Sequence, residues 1–152
     1  MLALVALRRI PSLALALVAL AATPSFALDY RSVIEAAAMY DAPSAKSNPM
    51  FVVRPGTPVE LVVSLEGWSK VRDSKGDLVW IEKKHLAEKR NVIVRTDRAQ
   101  VRVAAEDRAA LVFEAEREVV LELLEVVPGG WVKVRHRDGQ GGFVKALQVW
   151  GL

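Results

Sequence analysis

Residues 66–76 read EGWSKVRDSKG, and residues 129–139 read GGWVKVRHRDG. Each is Gly-Trp, one residue, Lys-Val-Arg, then a short run to glycine. Aligning Trp68 with Trp131 sets Lys70, Val71, Arg72 and Gly76 on Lys133, Val134, Arg135 and Gly139, and Trp80-Ile81 on Phe143-Val144. With one residue inserted before Trp131, Val59-Glu60-Leu61 matches Leu121-Glu122-Leu123, and Tyr40-Asp41-Ala42 falls near Arg102-Val103-Ala104. So many matches in order mark an internal duplication. Unit one is drawn at 28–87 and unit two at 90–152. The joint AEKRN (87–91) is polar and too short for a free linker.

Outward from that repeat the reading is β throughout. VELVV (59–63), WSKVRD (68–73) and LVWIE (78–82) are short, rich in Val and Trp, and bounded by Gly, Pro, Asp and Ser, the composition of strands. DSKGD and RDGQG supply the glycine that tight hairpin turns need. NVIVRT (91–96), VRV (101–103) and LVF (111–113) continue the style. Residues 105–127, AEDRAALVFEAEREVVLELLEVV, have a helical composition. Their counterpart in unit one holds Pro55, Gly56 and Pro58, which no helix interior accommodates, so strands are predicted there too. KKHL (83–86) and ALQV (146–149) read as single 3₁₀ turns before a last short strand. Many short strands with frequent turns predict an all-β protein, each unit a small barrel or sandwich.

The first 27 residues differ in kind. Arg8-Arg9 precede an apolar run from Ile10 to Ala22, and small residues close it at Ser25-Phe26-Ala27. This is the layout of a cleavable secretory signal peptide, residues 1–27. A spanning helix needs about 20 uninterrupted apolar residues, and Arg8, Arg9 and Pro11 interrupt this one. The leader also inflates the 52% hydrophobic content. Beyond it, 19 basic residues stand against 18 acidic ones, net +1, so no one-signed field exists to attract nucleic acid. The expected location is the periplasm, with no membrane anchor after cleavage. The chain has no cysteine, which excludes disulfides, thiolate metal sites and acylation at a cleavage-site Cys. Units of about 60 residues bury only some 60% of their surface, so the two are expected to pack on each other.

Chemistry-bearing constellations are sparse. His85 and His136 lie in different units, and His136 reads as a structural side chain at a hairpin end. No Ser or His falls in a nucleophile pattern, and no convergent set has metal-ligand spacing. Glu114, Glu116, Glu118, Glu122 and Glu125 read as a solvated strand face; the basic stretch 83–90 reads as a solvated patch. No cofactor, metal or catalytic residue is expected, and the chain reads as a non-enzyme.

Alternation along a strand puts Val132, Val134 and His136 on one face of WVKVRH and Trp131, Lys133 and Arg135 on the other. In unit one Val71 marks the core, and Trp68, Lys70 and Arg72 face away. The repeated tryptophan either covers a rim or a neighbouring unit, or floors a groove with Lys and Arg supplying charge.

AMYDAPS (38–44), PGTPVELVVSLEGWSKVRDSKGDLVWIEKKHL (55–86) and GGWVKVRHRDGQGGFVKALQVWG (129–151) resemble bacterial SH3-like (SH3b) domains. The resemblance spans both units and implies two tandem, strongly bent small β-barrels. It implies an exported binding protein for cell-wall (peptidoglycan) peptides or an envelope protein, or else an adapter or regulatory partner of a wall hydrolase. The aromatic groove of peptide-binding relatives falls in unit one on Tyr40, Trp68, Trp80 and His85, with Lys70 and Arg72 nearby. In unit two it falls on Arg102, Trp131, Phe143 and Gln148, with Lys133 and Arg135 alongside. Glu82 stands where the groove proline belongs and no acidic loop follows Asp41, which argues against proline-rich ligands.

Overall fold

The structure is a computed structural model that describes residues 27–152; the leader read over 1–27 lies, except for Ala27, outside the described residues. Alternating burial shows why the strands form where they do. Along Trp68–Arg72, Ser69 and Val71 are buried and the residues between them half-buried; in Trp131–Arg135, Val132 and Val134 are buried, with Lys133 and Arg135 exposed and Trp131 also buried. Strands β1 (Tyr30–Val33), β2 (Ala37–Tyr40), β3 (Pro49–Val53), β4 (Pro58–Ser64), β5 (Trp68–Arg72), β6 (Leu78–Glu82) and β7 (Leu86–Ala87) make one antiparallel sheet, in the order β3-β2-β6-β5-β4-β1-β7. Strands β8 (Asn91–Val94), β9 (Arg98–Arg102), β10 (Leu111–Glu116), β11 (Val120–Val127), β12 (Trp131–Arg135), β13 (Gly141–Lys145) and β14 (Val149–Trp150) make a second, in the order β10-β9-β13-β12-β11-β8-β14. The second order is the first advanced by seven, so the duplication read from sequence is a duplication of topology. The helix-like stretch 105–127 folds as strands β10 and β11, which pair with β9 and with β12 and β8 respectively. The 3₁₀ turns fall at Lys83–His85 and Ala146–Gln148, and Gly76 and Gly139 close their hairpins at the same φ of 94°.

Neither sheet closes into the expected barrel. Closure needs hydrogen bonds all the way round. β7 is two residues long and pairs only with β1, while β3 pairs only with β2. The sheets instead bend over their cores. Val33 of β1, Met39 of β2, Val53 of β3, Val71 of β5 and Ile81 of β6 share one apolar cluster, which a flat sheet could not bring together. Register shifts at Leu61/Val63 and Leu123/Glu125 break the two longest strands at equivalent places, and such bulges sharpen twist and bend. The second cluster repeats the first around Val92, Val101, Leu121, Val132 and Val144.

The units pack on each other. All four residues of β8 are buried. Val92 and Val94 enter the core of sheet two, while Asn91 points its amide to Gly56 O of unit one at 2.8 Å. Tyr30 of β1 meets Trp150 of β14 edge to face, 5.2 Å between centroids at 86°. The Arg90 guanidinium lies 5.3 Å over the Tyr30 ring and donates to Gly151 O at 2.8 Å. Burial, helped by Glu60, pushes the Tyr30 phenol up. Ser32 Oγ and Arg90 Nε are buried without a hydrogen-bond partner, a local cost. Glu118 reaches Arg54 and Lys75 of unit one, and Glu122 joins Lys89 of the joint to Arg135. The acidic run read as a solvated face is therefore partly spent on ion pairs across and beside the junction.

Gly151 has φ +112, and a Cβ there would sit 2.9 Å from Asn91 O and 3.3 Å from Pro58 Cβ. Gly151→Ala is expected to lower the unfolding free energy by about 1–3 kcal/mol in chemical denaturation; an unchanged midpoint would show the junction yields freely. The Glu122 carboxyl is held low, first by its hydrogen bond from Arg135, with burial opposing and Lys89 adding. A depressed carboxylate stabilises above its unfolded pKa, and that stability is lost as pH falls through the folded value. Glu122→Gln should therefore lose less stability than the parent between pH 6 and pH 3, by under about 1 kcal/mol at this exposure.

Candidate functional site

The strand ladder builds the candidate face. Register places Tyr40 of β2 opposite Trp80 of β6, and Trp80 opposite Lys70 of β5. Trp68, two residues before Lys70, lies on the same face, opposite Glu82. Cross-strand neighbours on one face stand about 5 Å apart at Cβ, close enough for these rings to touch. Tyr40 and Trp68, on strands separated by β6, also meet edge to face, 5.5 Å between centroids at 84°. Lys70 Nζ lies 5.9 Å over the Trp80 ring. All four residues are half-buried.

A chain of charges borders the aromatics. Lys84 Nζ pairs with Glu82 at 2.8 Å. The hydrogen bond from Lys84 holds the Glu82 carboxyl low, and the same bond, with Glu35 and Tyr40 contributing, pushes the Lys84 amine up. His85 Nδ1 lies 3.1 Å from Glu35 Oε1. Tyr40, Trp68, Lys70 and Trp80 are thus assembled, with His85 joined at the border through Glu35. Glu82 was read only as standing where the groove proline belongs, and Lys84 was not among the sequence candidates. The available signal was register, because the residue opposite a groove tryptophan belongs to the groove.

Arg72 is on the expected face but engaged. Its Nη1 donates to both Glu60 oxygens, at 3.1 and 2.8 Å, and Glu60 is itself buried. Unit two repeats this: Arg135 Nε and Nη2 donate to Glu122 Oε2 at 3.0 and 2.7 Å. Both pairs are cross-strand partners at equivalent ladder positions. The cation–ring contact is duplicated too, Lys133 Nζ lying 5.9 Å over Phe143.

The aromatic pair is not duplicated. Arg102 occupies the position of Tyr40, opposite Phe143, and donates to Ala109 O at 2.8 Å. Trp131 is 8% exposed, with Lys145 Nζ 5.7 Å over its ring. Strand alternation places Trp131 with exposed Lys133 and Arg135, yet its ring is covered. Among the described residues no group of three or more His, Asp or Glu could hold a metal ion, and no helix is long and apolar enough to cross a membrane. His136 sits at its hairpin end, 3.1 Å from Asp138 and 5.9 Å from the Phe113 ring.

No curated protein sequence matches the chain. Among solved structures, NlpC1 from Trichomonas vaginalis aligns at TM-score 0.38 and 13% identity, covering 85% of this chain and 48% of that one. An NlpC/P60 family protein from Bacillus cereus aligns at TM-score 0.36 and 15% identity, covering 80% and 55%. The chain spans about half the length of these structures, and at such values the likeness carries no functional weight. The bacterial SH3 domain profile matches twice, over residues 34–88 and 95–151. Those matches cover most of the chain and coincide with the duplicated sheets: the chain belongs to the bacterial SH3 domain family and carries two copies in tandem.

Proposed function

We propose that the protein is an exported, non-enzymatic binding module of the cell envelope, working in the periplasm, whose unit-one aromatic face takes an extended cell-wall peptide. The observation that carries this reading is the half-buried Tyr40–Trp68 pair beside Trp80. Rings fixed edge to face are pre-organised, so a ligand stacking on them meets little ordering cost. Lys70 supplies a positive charge at the border, suited to a carboxylate of a wall stem peptide. Arg72 plays no direct part, because Glu60 already satisfies it. The family membership and the leader-like 1–27 support the envelope setting.

A second reading is a structural adapter or regulatory partner of a wall hydrolase, without a small ligand. The burial of Trp131 favours it, since that copy of the motif is already covered. One experiment separates the two. Purified peptidoglycan sacculi should retain the protein, and Trp68→Ala should weaken retention at least tenfold, about 1.4 kcal/mol. Phe143→Ala, the unit-two counterpart of Trp80, should stay within about twofold. Equal retention of all three, each folded by circular dichroism, would remove the unit-one site, and no retention of the wild type would leave the adapter reading.

A further inference from the structure

We propose that the cleft between the two units is a separate binding site, for an extended acidic peptide segment. The cleft has a volume of about 990 Å³ and contains none of the aromatic-face residues. One wall is the β3–β4 turn of unit one, Arg54-Pro55-Gly56. The other comes from unit two, the β10–β11 turn at Arg117-Glu118 and the β12–β13 turn at Arg137. A recess of about 220 Å³ walled by Phe51, Val52 and Ile93 shares Arg54 and Glu118 with it. The site therefore joins a charged stretch to an apolar one, as suits a peptide of mixed side chains.

The charges point to an anion. Arg54, Lys89, Arg117, Arg135 and Arg137 line the cleft against three carboxylates, Glu116, Glu118 and Glu122. These cations are not equally occupied. Arg135 is held by Glu122 at 2.7 Å. Arg117 is satisfied only by Asp97, which is 94% exposed. Arg137 makes no ion pair among the described residues. Arg54 and Lys75 reach Glu118 only at 3.8 and 3.6 Å, beyond hydrogen-bond distance.

Glu118 supplies the second observation. It is the one non-glycine residue with positive φ among those described, at 68°. The corresponding turn of unit one uses Gly56, at φ 82°. A glutamate is disfavoured in that conformation, and strain of this kind gathers at ligand clamps. Here it holds a half-exposed carboxylate between two cations of the other unit. Glu118 thus occupies, loosely, the place of a ligand carboxylate. An acidic peptide would displace it and pair with Arg54, Arg117 and Arg137. Nucleic acid fits poorly, because its closely spaced phosphates would meet the three glutamates. An extended peptide repeats its side chains on one face every 6–7 Å or so and can pass between them.

The test is fluorescence anisotropy of fluorescein-labelled hexaglutamate with the purified protein at 50 and 150 mM salt, beside hexalysine and inorganic polyphosphate. Hexaglutamate should bind, more weakly at the higher salt, and hexalysine should not. Arg137→Glu should weaken binding at least tenfold, and Arg137→Gln about threefold. Glu118→Gly, which removes the competing carboxylate and suits the backbone, should strengthen it several-fold. Trp68→Ala should leave it unchanged, so this outcome is independent of sacculus retention. No hexaglutamate binding, unaltered binding by folded Arg137→Glu, or equal binding of polyphosphate would overturn the site, the last by reducing it to general polyanion attraction.

Discussion

The burial of β8 on both faces is the constraint on which the rest depends. A unit of about 60 residues leaves some two fifths of its surface wet, and without cysteine no disulfide compensates. Val92 and Val94 serve the core of their own sheet, while Asn91 bonds to Gly56 of the other unit. Both faces of one strand are thus used at once. Around it, Tyr30 and Trp150 bring the first strand of one unit against the last strand of the other, with Arg90 of the joint over the Tyr30 ring. The joint is structural rather than a tether, because its side chains belong to the interface. Gly151 belongs to the same arrangement: its lack of a side chain lets Asn91 O and Pro58 come close.

Duplication preserved the electrostatics of the central hairpins more faithfully than their aromatics. Glu60–Arg72 and Glu122–Arg135 sit at the same ladder position and in the same cross-strand role. A buried carboxylate that lost its arginine would keep its desolvation cost without compensation, most acutely at Glu60. That penalty ties the two positions together in each copy, whatever the surrounding face does. It also explains why the Lys-Val-Arg element is the most legible part of the repeat. The valine is core, the arginine completes an ion pair, and only the lysine stays available beside a ring.

Local pattern revealed most of the fold. Strand alternation, the Pro55-Gly56-Pro58 counterpart that ruled out a helix over 105–127, and the glycines of the hairpin turns are short-range signals, and the structure follows them. The open sheets were less legible, because closure depends on how far β3 and β7 extend and on bulges that no composition marks. The candidate face was legible in Tyr40, Trp68, Lys70 and Trp80, which alternation and the family resemblance bring together. Glu82 was read only as the occupant of the groove proline's position, and its pairing with Lys84 was missed because Lys84 comes from the 3₁₀ turn that follows the strand. For Trp131 the two alternatives, packed or groove, stayed open in the sequence because its cover, Lys145, comes from β13, and alternation says which way a side chain leaves the strand, not what lies above it.

The two copies of Gly-Trp-x-Lys-Val-Arg therefore bear on function unequally although they are equal as sequence. Where β2 presents Tyr40, an aromatic neighbour leaves Trp68 half-buried and the face open. Where β9 presents Arg102, that side chain turns to its own loop at Ala109, and Trp131 lies under Lys145. A tryptophan in this motif is not by itself a sign of a ligand; its neighbours across the sheet decide whether its ring is floor or filler. The same logic applies at the junction. Gly56 in one turn and Glu118 in the other hold the same left-handed backbone, but only the second carries a charge, and it carries it to where the first unit offers cations. A duplicated scaffold thus keeps its folding constraints in both copies, and difference between the copies accumulates where side chains are not needed for the core.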